Sequence, residues 1–221
     1  MKRPDYLNQI RGNIKKVENG SVFVSTDFTD ITDKKTVNMG LIRLADEGLI
    51  KKILFGVYYK PEFSELLGEA VAPSPNKVAH ALARNFGWTI VPCGDTALNL
   101  LGLSMQVSSQ WVYVSDGVYK EYTFDNTTIK FKRTTNKEIS KVSYKTALTI
   151  QALKALGKEN ITEQVILRLK KILTDEEKEK MLAESKSVTS WVLELIKIIC
   201  RDEEKWVYAC RYCRFAKRAW T

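Results

Sequence analysis

Apolar side chains at Tyr6, Leu7, Ile10, Ile14 and Val17 fall three or four positions apart, which predicts an amphipathic helix from Pro4 to Asn19. Pro4 is tolerated in its first turn and Gly20 marks its end. The next forty residues, Ser21 to Lys60, read as short strand, short helix, turn, longer helix and hairpin. Asp33 suits the cap of the longer helix, because its carboxylate accepts orphan amide protons at the positive helix end, and Gly48 supplies a left-handed stop after Glu47. Val37, Leu41 and Leu44 fall on one face and are expected to pack inward, with Gly40 permitting close approach of a neighbouring helix. The remaining face carries Lys34, Lys35, Thr36, Asn38, Met39 and Arg43. Two β-branched and aromatic runs, Ile50 to Leu54 and Val57 to Lys60, flank Phe55-Gly56 and predict a hairpin bearing Lys51 and Lys52. This order is a winged helix-turn-helix: the helix face suits a major groove and the wing lysines suit phosphates, so these eight residues are the candidate DNA-binding set. Helical pairs followed by hairpins also occur as plain α+β scaffold.

Beyond Lys60-Pro61, where a domain boundary is expected, the spacing of Phe63, Leu66, Leu67 and Val71 predicts a helix leading into the turn APSPNK. Ser74 as cap and Pro75 in the first turn start another helix, with Val78, Leu82 and Phe86 inward and Gly87 at its end. A short strand from Trp88 to Pro92 precedes a turn and helix closed by Gly102. Gln110 to Ser115, Tyr119 to Phe124 and Ile129 to Arg133 read as strands joined at Asp116-Gly117 and Asp125-Asn126. The rest is helical: Val142 to Leu156 stopped by Gly157, Thr162 to Leu173, a helix opened by the capping box Thr174 and Glu177, and Val188 to Cys200. The fold class is α+β, divided as a winged domain over 1–60, a mixed α+β domain over 61–140 and a helical region over 141–221.

A length of 221 residues with 44% hydrophobic residues allows real cores rather than disorder. The formal net charge of +9 points to a polyanionic partner. Lys130, Lys132, Arg133, Lys137, Lys141 and Lys145 face one acid, Glu138, and form a second basic stretch. Lys2, Arg3, Arg11, Lys15 and Lys16 on the first helix either reach a DNA backbone or are ordinary solvated charges. Without an N-terminal apolar signal region or a run of roughly twenty apolar residues, a cytoplasmic, non-membrane protein is expected.

The cysteines, Cys93, Cys200, Cys210 and Cys213, are expected to be reduced thiols, Cys210 and Cys213 being two positions on a helical face rather than a zinc or redox pair. His80 lacks partners in any recognisable catalytic order. The interleaved Trp206, Tyr208, Arg211, Tyr212, Arg214, Phe215, Lys217, Arg218 and Trp220 suit either nucleic-acid stacking or, the favoured account, packing of a terminal helix. With no metal-ligand set, phosphate-cradling loop or nucleophile-base pattern, no enzyme, metal or cofactor is expected.

The stretches VFVSTDFTDI, GLIRLADEGLI, FGVYYKP and WTIVPCGDTALNLLGLSMQVSSQWVYVSDG resemble the AbiEi-type abortive-infection antitoxins of bacterial type IV toxin-antitoxin systems. The resemblance extends to about residue 195 and is most specific in the wing and in the run Pro92 to Ser104. It implies a winged domain that represses its own operon by binding double-stranded promoter DNA with inverted repeats. It also implies a C-terminal module that counteracts a nucleotidyltransferase-like toxin functionally, with or without a stable complex, and Lys130, Lys132 and Arg133 are the candidate antitoxin surface. Where relatives often place a basic residue before the wing glycine this chain has Phe55, so phosphate contact falls to Lys51, Lys52 or Lys60, and the segment after Arg201 has no recognised counterpart. The alternatives are a plain winged-helix regulator, or an RNA-binding or enzymatic effector using Asp95, Asp116 or Lys130 in the α+β middle.

Overall fold

Helix α1 spans Tyr6–Lys16, opened by the Asp5 carboxylate, which accepts from the Asn8 amide at 3.2 Å. In this computed structural model, which describes residues 5–64, 68–106, 110–134, 139 and 141–201, the chain divides into two compact units. One is Met1–Ile90 with Glu121–Ile129, and the other is Val91–Lys120 with Lys130–Thr221. The first unit thus runs past the expected boundary near Pro61. The Cys210/Cys213 pair, the aromatic and basic tail, and Lys2, Arg3, Lys137 and Glu138 lie outside the described residues.

In the first unit, α1 is followed by β1 (Val22–Val24), a single 3-10 turn over Ser25–Phe28, α2 (Lys34–Asp46), β2 (Lys51–Leu54) and β3 (Val57–Tyr59). The expected short helix is therefore one tight turn. The three strands form an antiparallel sheet of order β1-β3-β2, with Val22 opposite Tyr59, Lys52 opposite Tyr58, and a register shift between Lys52 and Leu54. Ile10 and Ile14 of α1 and Val37, Leu41 and Leu44 of α2 bury against Phe23, Phe28, Ile50 and Tyr58, so the two helices share one core with the sheet. Close approach is possible because Gly40 has no side chain: a Cβ there would stand 3.2 Å from Ile10 Cδ1 and 3.7 Å from Leu7 Cδ1.

The helix expected around Phe63 to Val71 is instead a hairpin of β4 (Glu62–Ser64) and β5 (Glu69–Val71), with Phe63 opposite Ala70. Gly68 adopts φ +68°, a left-handed conformation closed to a helix interior but natural in a turn. Three-residue strands are too short for a period of two to declare itself. Helix α3 (Pro75–Phe86) then packs on β1 and the 3-10 turn, with Val78 and Leu82 inward and Gly87 left-handed at its end. Phe86, expected inward, is partly exposed and stacks on Trp88 with ring centroids 4.7 Å apart.

A four-stranded sheet has the order β6-β7-β9-β8, from β6 (Ile90–Pro92), β7 (Gln110–Ser115), β8 (Lys120–Phe124) and β9 (Thr127–Arg133). In the second unit, α4 (Asp95–Leu100) and α7 (Asp175–Glu184) pack on α5 (Tyr144–Leu156), whose residues from Thr146 to Leu153 are buried without interruption. A helix buried all round belongs at the centre of a bundle, and α5 is that centre, with Thr146, Thr149 and Gln151 among its buried residues. Helices α6 (Glu163–Ile172) and α8 (Ser190–Cys200) complete the core through Ile166, Leu169, Val192, Ile196 and Ile199. Thr174 and Glu177 form the expected reciprocal cap of α7. The fold is α+β, and among the described residues no helix is long and apolar enough to cross a membrane.

Candidate nucleic-acid interface

The interface begins at the start of α2. Asp33 Oδ1 accepts from the amides of Lys35 at 3.0 Å and Thr36 at 3.1 Å, while Oδ2 accepts from the Thr36 hydroxyl at 2.6 Å. These bonds, the Thr36 hydroxyl foremost, hold the Asp33 carboxyl below its ordinary range. The cap therefore occupies the positive end of α2, and Thr36, a candidate base reader, spends its hydroxyl proton on Asp33.

Successive helical residues turn by about 100°, so the buried edge of Val37, Gly40, Leu41 and Leu44 defines the opposite edge as Lys35, Met39, Ile42 and Asp46. Lys34, Lys35, Thr36 and Arg43 are exposed, and Met39 and Ile42 are 51% and 44% exposed. Asn38 lies to one side and is half-buried, whereas Thr36 and Arg43 flank the side nearer Gly40 and α1. Ile42 is absent from the residues expected on this face, although its angle on the helix places it there.

The hairpin presents Lys51 and Lys52, both exposed, on β2. At its tip Phe55 is 94% exposed, and Lys52 Nζ stands 5.5 Å from the centroid of its ring. Gly56 at φ +74° allows the turn. Structure removes two cations from the pool available to a ligand. Arg11 Nη2 donates to both Glu47 carboxylate oxygens at 2.8 and 2.7 Å, tying α1 to the end of α2. Lys60 Nζ donates to the carbonyls of Val17 at 2.8 Å and Lys15 at 3.2 Å, closing the C-terminal end of α1 where a cation is favoured. Lys60 is therefore a cap of α1 rather than a spare phosphate contact.

The 3-10 turn before α2 is held by Asp27, which accepts from the Val24 amide at 3.0 Å and from Arg84 Nε and Nη2 at 2.8 and 3.0 Å. Arg84 Nη2 also reaches the Val22 carbonyl at 3.1 Å. This fork, contributed by α3, fixes the path from β1 into α2. His80, on the same helix, is half-buried, and burial with the nearby Arg84 charge lowers its pKa.

On β9, Lys132 and Arg133 are exposed and Lys130 half-buried, with Phe131 buried between Lys130 and Lys132 and Ile129 buried just before Lys130. Cys93 is a half-buried thiol whose pKa is raised by desolvation, partly offset by the charge of Lys132. Burial pushes the Cys200 thiol up to about 11. Both are neutral at ordinary pH and poor nucleophiles. Among the described residues no group of three His, Cys, Asp or Glu side chains is placed to hold a metal ion. No curated protein matches the sequence. A family profile described as "Family of unknown function (DUF6088)" matches residues 9–181, and the chain belongs to that family.

Proposed function

We propose that this chain is a sequence-specific binder of double-stranded DNA, with α2 as recognition helix and the β2-β3 hairpin as wing of a winged helix-turn-helix, and that it regulates its own promoter. The observation carrying this reading is the exposed surface of α2: Lys35 lies on its outward edge and Lys34 and Arg43 are exposed to either side of it, while the acids Asp33 and Glu47 at its two ends are engaged within the protein. Asp46, at the C-terminal end of that edge, is the exception. A helix of 13 residues is about 20 Å long and of a width that B-DNA's major groove, about 12 Å across, accepts. The strand order β1-β3-β2 supports the same reading, because it returns the basic hairpin to the sheet beside the helix it follows. The test is titration of the full chain against its own gene's upstream duplex and a scrambled duplex. Preference for the upstream duplex by about a thousandfold or more is expected of specific recognition; equal affinity for the two contradicts it.

Antitoxin activity is the second half of the proposal and rests on the resemblance of Pro92 to Ser104, the run that forms the end of β6, the following turn and α4. Co-expression with a neighbouring nucleotidyltransferase-like gene tests it. The full chain should restore growth, and replacing Lys130, Lys132 and Arg133 together by Ala should remove protection while leaving duplex binding intact. Protection that survives this change shows that these three residues are not the antitoxin surface, and a full chain that gives none overturns the antitoxin half.

A further inference from the structure

Met39 and Ile42 stand one turn apart on the outward edge of α2 and form an apolar ridge that the core does not use, since Val37, Leu41 and Leu44 fill the inner side completely. A single exposed apolar residue needs no explanation. This pair differs in position, because it occupies the middle of a surface bordered by the cations Lys35 and Arg43, with the acid Asp46 at its C-terminal end. We infer, resting on the DNA-binding reading above, that the ridge is a specificity determinant that reads the 5-methyl groups of thymine in the major groove.

The chemistry follows from what a major groove offers. Base-pair edges there are hydrogen-bond donors and acceptors except for one apolar group, the thymine methyl. The Ile42 side chain is stiff at χ1 and presents a fixed contact, whereas the unbranched thioether of Met39 adapts to its neighbour. Three helical residues rise about 4.5 Å, close to the rise of roughly 3.4 Å between stacked base pairs, so the two side chains match methyls on adjacent pairs. The occupant is DNA rather than a second copy of this chain, because the cations Lys34, Lys35 and Arg43 outnumber the one acid of that edge, Asp46, which suits a polyanion. Two side chains also make a narrower stripe than the apolar face of more than about 100° that helix packing uses.

The experiment enriches duplexes from a randomised pool with the full chain, then replaces thymine by uracil at the enriched positions, which removes only the methyl. Enriched sites should contain adjacent T·A pairs, and each lost methyl should weaken wild-type binding about fourfold, the value of one buried CH₂. The double variant Met39→Ala/Ile42→Ala should be indifferent to uracil and bind unrelated duplexes within about twofold of wild type, since phosphate contacts carry that affinity. Its thermal melt should match wild type, both side chains being outside the core. If a specific site is enriched but lacks adjacent T·A pairs, or uracil leaves wild-type affinity unchanged, the methyl reading is overturned and DNA binding stands. If no duplex is retained at low salt, both fall. If the chain dimerises in sedimentation runs and the double variant does not, the ridge belongs to a second copy and the inference is overturned.

Discussion

Lys34, Lys35 and Arg43 on α2 and Lys130, Lys132 and Arg133 on β9 carry the same formal charge on two different elements, and the elements give that charge different meanings. On α2 the cations stand beside the exposed Met39 and Ile42 and the half-buried Asn38, which offer both apolar and hydrogen-bonding contacts, with Asp46 at the C-terminal end of the same edge. On β9 the side chains alternate, so Ile129 and Phe131 are fully buried, Phe131 lying 5.9 Å from Tyr113 ring to ring. By the same alternation Lys130 and Lys132 share the opposite face and Arg133 falls on the side of Ile129 and Phe131 at the strand's end, and as an inner strand of its sheet β9 has no free backbone edge. Charge density in the sequence is higher around Lys130 to Lys145 than along α2. Shape separates them: a helix enters a major groove, whereas a flat row of lysines attracts any polyanion without reading it.

The largest expected effect breaks that comparison directly. Changing Lys34, Lys35 and Arg43 together to Gln should weaken duplex binding by on the order of a hundredfold near physiological salt and lower the slope of log K against log salt by about three contacts. The matching triple change at Lys130, Lys132 and Arg133 should leave duplex affinity within about threefold, as measured by fluorescence anisotropy across a salt series. Equal losses from both sets would mean that charge alone binds the DNA.

Next in size is the packing that presents α2. Gly40→Val forces atoms into the space held by Ile10 and Leu7 and should destabilise the chain by about 1 to 3 kcal/mol in denaturant titration, as overpacking generally does. An unchanged midpoint would show that α1 yields freely and does not hold α2 in place. Smaller still, Lys51→Ala and Lys52→Ala should each reduce the salt slope by about one phosphate contact on any duplex, without altering sequence preference. A change of preference would place the wing against base edges instead.

The smallest effect concerns Asp33, whose carboxyl is held below its ordinary value by the bonds it accepts. A depressed carboxyl contributes its stabilisation above its unfolded pKa of about 3.9 and loses it as pH falls through the folded value. Asp33→Asn keeps a capping oxygen but cannot titrate. The melting-temperature advantage of wild type over the variant should therefore shrink as pH is lowered from 6 through 4 to 3, the wild type losing more. Parallel curves would remove the cap from the acid response.

Much of this site was legible because its determinants are local. Asp33, the buried triad Val37, Leu41 and Leu44, the Phe55-Gly56 turn and the Thr174 cap each act within a few residues of themselves. What escaped was set by distant partners. Arg11 is committed to Glu47 and Lys60 to the end of α1, pairings across 36 and more than 40 residues that turn apparent DNA contacts into structural ones. The β4-β5 hairpin escaped because apolar residues at Phe63 and Val71 fit a helix as well as two short strands, with only the Gly68 turn deciding between them.

The central claim is that α2 reads sequence while charge elsewhere does not, and the affinity of the full chain for its own upstream duplex relative to a scrambled one tests it most directly. The account predicts a ratio of about a thousandfold or more in wild type, falling by at least about tenfold in Met39→Ala/Ile42→Ala while scrambled-duplex affinity stays level. A wild-type ratio near one, or a ratio that falls only when Lys130, Lys132 and Arg133 are replaced, would contradict it.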